Sequence, residues 1–293
     1  MNTPGGNTIS TAEHTFSLLL ALSRNIPQAY RSLTENKWEK KRFQGVEVYG
    51  KTLGIIGLGK IGREVAKRAQ GFGMKVIGFD PFISSEIVAK LDIKLVNLNE
   101  LLKESDYITV HTPLTEQTRY MISTKEFKKM KKGVRIINCA RGGIIDEKAL
   151  YQALKAGQVA GAALDVFENE PPANHPLLEL ENVIATPHLG ASTKEAQVNV
   201  AVAIAQQVKD VLLYNTIRNA INAPSLDQEM YKQIKPYLNL GEKIGLLQAQ
   251  LLEGNIKEVI IEFSGKVLEY DAVSYTHLRA HETSLHLVCR LLL

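Results

Sequence analysis

The feature that most constrains this chain is a glycine pattern at a strand-to-helix junction. Gly57-Leu58-Gly59-Lys60-Ile61-Gly62 follows the apolar run Thr52–Ile56 and opens a helical pattern that continues to Ala69. Alone, a GxGxxG sequence is a weak signal; between a strand and a helix it becomes a strong one. Gly57 then permits a tight turn, Gly59 lets a pyrophosphate approach the backbone, and Gly62 lets helix and strand pack closely. The helix start offers unpaired N–H groups and a favourable dipole to the anion, and Lys60 and Ile61 are placed to present them. The next strand ends at Asp80, where a carboxylate accepts hydrogen bonds from the adenosine ribose and repels a 2′-phosphate. That favours NAD over NADP; the plain alternative is a turn aspartate ahead of Pro81.

The surrounding texture agrees. Short apolar runs recur at Thr52–Ile56, Lys75–Phe79, Tyr107–Val110, Val134–Asn138, 161–164 and Val183–Ala185. They are apolar throughout rather than alternating, as strands buried on both faces of a parallel sheet should be. Helical patterns lie between them. Ser123 with Glu126 fits a capping box, and Asp146 can cap a helix over 147–156 that Gly157 ends. The expectation is a doubly wound parallel α/β domain. Two helices flank it. The first opens with Ser10 and Glu13 as a capping box and carries Phe16, Leu19 and Leu20, with Pro27 kinking or restarting it. The second opens with Ser192 and Glu195 and presents Ala196, Val200, Ile204, Val208 and Val211. Pro224 and Ser225 then mark a linker before a helix at 236–252 and a strand at 259–263.

Composition narrows the class. The 293 residues allow one or two domains, and 35 basic against 31 acidic residues give only +4, too mild to imply nucleic acid. No run of about 18 apolar residues occurs, so no membrane helix is expected. Nothing after Met1 reads as a signal peptide, and Cys139 and Cys289 cannot build a disulfide framework. A cytoplasmic setting fits best.

Three more segments fall where strands of such a sheet end, the edge at which these folds bind ligands. They are Asn138-Cys139-Ala140-Arg141-Gly142-Gly143, the run Leu164-Asp165-Val166-Phe167-Glu168-Asn169-Glu170-Pro171-Pro172, and Thr186-Pro187-His188-Leu189-Gly190-Ala191. With the glycine loop they resemble the D-isomer-specific 2-hydroxyacid dehydrogenases over about residues 2–272. The agreement is best with the longer members, which carry an extra C-terminal domain and act on a phosphorylated 2-hydroxy acid.

The resemblance implies Arg141, Glu170 and His188 as catalytic residues. It implies cofactor contacts at Lys60, Ile61, Asp80, Thr112, Cys139, Ala140, Arg141, Asp165, His188, Leu189, Gly190 and Ala191. The residue types suit the chemistry. Imidazole titrates near neutrality, so His188 can take the hydroxyl proton, with Glu170 orienting its ring. The Arg141 fork suits a substrate carboxylate. Asp165 is expected, from the family, at the nicotinamide carboxamide. Singly, an Arg-Gly-Gly turn or a Pro-His loop is ordinary surface; in this order and spacing they read as one site.

Other residues have plainer readings. Cys139 is either a thiol activated by Arg141 or a small residue at a tight strand end. His111 reads as packing, and Lys128-Lys129 with Lys131-Lys132 as a solvated helix end. In the family, the loop Trp38-Glu39-Lys40-Lys41-Arg42-Phe43 lies at a dimer contact. Trp38 can anchor there, and its basic neighbours can draw a phosphorylated substrate; a plain surface loop is the alternative.

The expected organisation is a remnant of a substrate lobe (1–7), an NAD-binding domain with its entry helix (8–192), a return helix (193–216) and the beginning of an extra regulatory-type domain (217–272). The family has a further portion ahead of Met1, and its absence here would open the cleft. Residues 273–293 match nothing in the family and read as translated sequencing adaptor. Their His277, His281, His286 and Cys289 imitate metal ligands, and no metal is expected. The functional expectation is NAD-dependent oxidation of a phosphorylated 2-hydroxy acid by a self-associating enzyme. The alternatives are a hydroxypyruvate or glyoxylate reductase and a non-catalytic, NAD-sensing corepressor-like module.

Overall fold

The computed structural model describes residues 1–83, 91–214, 217, 219–220, 228–251, 260–262 and 288–290. Gly5–Val200 form one compact unit, and Met1–Pro4 with the chain from Ala201 form a second.

The first unit is built on seven parallel strands: β1 (Thr52–Ile56), β2 (Lys75–Phe79), β3 (Lys94–Leu95), β4 (Tyr107–Val110), β5 (Val134–Asn138), β6 (Val159–Leu164) and β7 (Val183–Ala185). Their order is β3-β2-β1-β4-β5-β6-β7. The expected doubly wound parallel sheet is therefore present. The chain direction across the sheet reverses between β1 and β4, so a crevice opens beyond their carboxyl ends.

Successive residues of the central strands feed opposite faces. Ile56, Ile108 and Ile136 join one core with Leu101, Phe127 and Leu150, while Leu53, Ile55, Tyr107 and Ile137 join another with Phe16, Leu19 and Val65. Both faces are dry, which is why the strand sequences show no polar alternation. One face is covered by α1 (Thr8–Arg24) and α3 (Lys60–Gly71). The other carries α4 (Leu98–Glu104), α5 (Thr124–Phe127) and α6 (Glu147–Lys155).

Several helix starts are as expected. Ser123 and Glu126 make the capping box of α5. The Asp146 carboxylate accepts from the Lys148 and Ala149 N–H groups, and Gly157 follows α6 at φ +68°. Pro27 lies in the first turn of a separate helix, α2 (Ile26–Thr34), behind a left-handed Asn25.

Four features of the sheet and its flanking helices differ from the sequence reading. First, α1 begins at Thr8, so Ser10 and Glu13 form no capping box. Ser10 instead donates to the Gly190 carbonyl at 2.9 Å, and Glu13 pairs with Arg68. Second, α7 (Lys194–Tyr214) is capped by Thr193, whose Oγ1 accepts the Ala196 N–H, and not by Ser192. Third, Val208 of its anticipated apolar stripe is exposed, whereas Gln207 and Asp210 are buried. Gln207 donates to the Asn2 carbonyl at 3.0 Å, so a polar contact sets that face. Fourth, the edge strand β3 was not anticipated, since two residues carry no periodicity.

In the second unit, α8 runs Gln228–Leu251 with Pro236 inside it, starting earlier than expected. The expected strand at 259–263 is present as β8 (Ile260–Glu262), which pairs in parallel with β9 (Val288–Arg290). The Pro224–Ser225 linker and most of 273–293 lie outside the described residues.

The double-faced core yields a stability prediction. Leu101 is fully buried against β1, where it fills the space a side chain at Gly54 would need. Leu101→Ala should lower the unfolding free energy of this unit by about 2–5 kcal/mol, read from urea denaturation.

Candidate active site

The site is assembled from strand ends. After β1, Gly57 takes φ +92°, and a Cβ there would lie 2.6 Å from the His111 carbonyl oxygen beyond β4. Gly62 sits so near the Gly57 carbonyl oxygen that no side chain fits between α3 and the turn. At Gly59, the residue preceding α3, a Cβ would meet nothing within 4 Å. The turn therefore leaves open space beside the helix start, the end of a helix whose dipole favours an anion. Asp80 is held at this turn: one carboxylate oxygen accepts the Leu58 N–H and the other the Phe82 N–H, each at 2.8 Å.

Thr112 gives an independent indication. Its Oγ1 is buried without a hydrogen-bond partner, and the residue packs against Gly57. A buried hydroxyl left unpaired beside an open anion cradle fits a polar ligand that completes it. The residues thus suit a dinucleotide. Lys60 and Ile61 open α3, where their N–H groups would meet a pyrophosphate.

Across the crevice, Asp165 follows β6 and is 1% exposed. Its Oδ1 accepts from Thr186 Oγ1 at 2.6 Å and the Leu189 N–H at 2.7 Å, and lies 3.1 Å from His14 Nε2. Its Oδ2 accepts the Gly190 N–H at 2.8 Å. Burial pushes this carboxyl up, but those four donors outweigh burial and hold it below the ordinary value. Asp165 thereby shapes the His188-Leu189-Gly190-Ala191 turn, and both of its oxygens are already engaged.

The sequence reading missed His14 and the α1 hydroxyls. Ser10 and Thr11 both donate to the Gly190 carbonyl, so α1 braces this turn from behind. No motif marks them, because their partners lie about 180 residues away.

The turn holds His188 at φ +55°, a left-handed conformation that a non-glycine residue adopts only when its surroundings enforce it. Its N–H bonds the Asp165 carbonyl at 2.9 Å. The ring Nδ1 then lies 2.8 Å from Glu170 Oε2, while Glu170 Oε1 accepts the Phe167 N–H at 3.0 Å. Burial raises the Glu170 carboxyl, yet His188 and the Phe167 N–H lower it further, so it stays ionised beside the ring. His188 is 49% exposed, and its Nε2 makes no hydrogen bond among the described residues. With Nδ1–H held by a carboxylate, Nε2 is the free base.

Arg141 stands on the loop after β5. Asn138 closes that loop, donating to the Arg141 carbonyl and accepting the Ala140 N–H, both at 3.0 Å. Gly142 presses on the Phe167 carbonyl so closely that a Cβ would overlap it, which locks the Arg141 loop to the Glu170 loop. The residue is exposed, and among the described residues its guanidinium hydrogen-bonds the neighbouring Ala140 carbonyl.

Two expectations resolve against chemistry. Cys139 is 5% exposed and burial pushes its thiol up to about 12, which disfavours the thiolate and supports the packing reading. His111 is lowered to about 4 by burial, leaving it neutral, with Nε2 3.0 Å from Thr109 Oγ1. Trp38 is 84% exposed, and Arg42, four residues on in the same loop, is paired with Glu39 and Glu181. Among the described residues, no cluster of His, Cys, Asp and Glu is gathered for a metal, and no helix is long and apolar enough to cross a membrane.

Residues 16–190 match the family described as D-isomer specific 2-hydroxyacid dehydrogenase, NAD binding domain. The chain belongs to this family. D-3-phosphoglycerate dehydrogenase of Methanocaldococcus jannaschii is 50% identical over 268 residues, 91% of this chain and 51% of that protein. The Homo sapiens enzyme of the same name is 51% identical over 84% of this chain and 46% of its own length. The chain thus spans about half the length of the curated relatives it matches. Among solved structures, a glyoxylate reductase from Paecilomyes thermophila superposes with TM-score 0.70 at 37% identity, covering 73% of this chain and 65% of that one. D-lactate dehydrogenase of Aquifex aeolicus, complexed with NAD and lactic acid, gives 0.66 at 33% identity, covering 72% of this chain and 68% of that one.

As an NAD-binding domain of this family, the unit depends on Asp165 in a pH-dependent way. A carboxyl lowered in the native state stabilises fully above its unfolded value, about 4, and loses that contribution as pH falls through the native value. Asp165→Asn should therefore be markedly less stable than the unaltered chain at pH 7, with the difference shrinking below about pH 4. Urea titrations across that range measure it.

Proposed function

We propose that this chain provides the NAD-binding and proton-transferring part of a D-3-phosphoglycerate dehydrogenase, which oxidises 3-phospho-D-glycerate to 3-phosphohydroxypyruvate at the entry to serine biosynthesis. The observation that carries the reading is the Glu170–His188 pair, 2.8 Å apart on a turn that puts imidazole Nε2 in the open. The D-3-phosphoglycerate dehydrogenases at about 50% identity support the substrate.

NAD, when bound, supplies the hydride acceptor. The chain's residues do the rest. His188 Nε2 takes the hydroxyl proton as the alcohol becomes a ketone, and Glu170 stabilises the imidazolium that forms. Arg141 presents its fork to the substrate carboxylate and fixes the reacting carbon. Thr112 and the Gly57–Gly62 turn hold the dinucleotide, and the Asp80 carboxylate selects the unphosphorylated ribose. Asp165 supports the site by setting the Leu189 and Gly190 backbone that carries His188. Self-association through the Trp38 loop and a cytoplasmic location belong to the same proposal.

NADH-dependent reduction of 3-phosphohydroxypyruvate by this chain tests the reading. His188→Ala should lower kcat about 10²–10⁴-fold, the usual contribution of a positioned general acid–base, with NADH binding retained. Arg141→Gln should raise the substrate KM more than it changes NADH affinity. Equal turnover of unphosphorylated hydroxypyruvate or glyoxylate would point to the reductase reading instead. Tight NADH binding with no turnover of any 2-oxo acid would favour a non-catalytic module.

A further inference from the structure

A second carboxylate–imidazole pair stands behind the catalytic one. Glu147 is the first residue of α6, and its Oε2 lies 2.9 Å from His175 Nε2. His175 precedes the 3₁₀ turn Pro176–Glu179, and its Nδ1 accepts the Leu177 N–H at 3.3 Å. Because Nδ1 accepts there, the ring proton of the neutral imidazole resides on Nε2 and is donated to Glu147. Both ring nitrogens are thus engaged, and the ring edge also packs on Phe167 at 5.6 Å between centroids.

The other Glu147 oxygen points toward the active-site loop. Oε1 accepts the Glu168 N–H at 2.7 Å. The adjacent Phe167 N–H is the one that Glu170 Oε1 accepts, and Glu170 Oε2 in turn meets His188. Two neighbouring backbone N–H groups are therefore fixed by two carboxylates, one leading back to α6 and one leading forward to the proton acceptor. The Glu147 carboxyl is raised by burial, which exceeds the lowering by the Glu168 N–H and by His175. The Glu147 side chain is only 12% exposed, so its carboxylate bears a desolvation cost that a hydrophobic residue would not.

We propose that Glu147, oriented by His175, is a positioning residue for the Glu170–His188 pair: it anchors the 167–170 segment so that the Glu170 carboxylate reaches His188 Nδ1. This rests on the functional reading above for its kinetic consequence, though the structural coupling can be tested without turnover. A glutamine at 147 can serve both neighbours only if His175 changes tautomer and gives up its acceptor for the Leu177 N–H. If its oxygen accepts from Glu168, its amide faces the His175 Nε2–H donor to donor. Asparagine at 175 retains an acceptor for the Leu177 N–H, yet is too short to reach Glu147.

The test is carried out on the full chain with Glu147→Gln and His175→Asn, each checked for cooperative unfolding. The first readout is the ¹H–¹⁵N correlation of the His188 ring, assigned with His188→Ala. In the unaltered chain it should report a hydrogen-bonded Nδ1–H; in either variant that signal should shift toward a freely exchanging imidazole. The second readout is kinetic: kcat should fall about tenfold or more, since small misplacements of a reacting group cost rate steeply, while the dissociation constant for NADH changes less than twofold. If either variant folds and keeps the His188 signal of the unaltered chain, the proposal is overturned. A signal that moves in both variants, in a chain that shows no turnover, would uphold the positioning role and count against the functional reading alone.

Discussion

One buried carboxylate, that of Asp165, ties together elements that are far apart in the chain. Its side chain receives four donors, one from α1, one from the residue after β7, and two from the backbone of the turn that carries His188. Its own N–H continues the ladder to the Asn138 carbonyl at the end of β5. A carboxylate this deeply buried is tolerable only because every donor is in place. The same satisfaction of charge makes the arrangement all-or-none. The turn cannot relax without stranding a charge, and His188 stays at a backbone angle it would otherwise leave.

Around that anchor, the candidate site is a set of loops held to one another by close backbone approach. Gly142 against the Phe167 carbonyl joins the Arg141 and Glu170 loops, and Gly57 against His111 joins the ends of β1 and β4. Each contact exists because a Cβ is missing, so glycine acts here by closeness as much as by conformational freedom. The result is a rim of closely packed loops at the carboxyl ends of parallel strands, with open space over Gly59 and an exposed His188 ring.

Much of this was legible in the chain as written. Continuous apolar runs at Thr52–Ile56, Tyr107–Val110 and Val134–Asn138 mark strands because both faces of the sheet are dry. The capping residues of α5 and α6 are local, acting over three positions, and a local pattern can be read. The misreadings concern residues whose roles are set at a distance. Ser10 looks like a helix cap but serves the Gly190 carbonyl, and Val208 looks like core while Gln207 and Asp210 are buried instead. Burial of Gln207 answers to the Asn2 carbonyl, a partner some 200 residues earlier. Helical periodicity alone cannot announce such a contact.

The sequence by itself determined the parallel α/β sheet, the dinucleotide turn and the three loops on which Arg141, Glu170 and His188 stand, because strand periodicity, glycine spacing and loop chemistry are encoded within short windows. Only the tertiary structure decided how those loops meet. It brought His14 from the first helix to Asp165, turned Asp165 into the support of the His188 backbone, set the Glu147–His175 pair beside the Glu170 loop, and buried Cys139. These are contacts between residues 21 to 151 positions apart, and hydrogen bonds of that span depend on hydrophobic layers that bring the partners together and exclude water from between them.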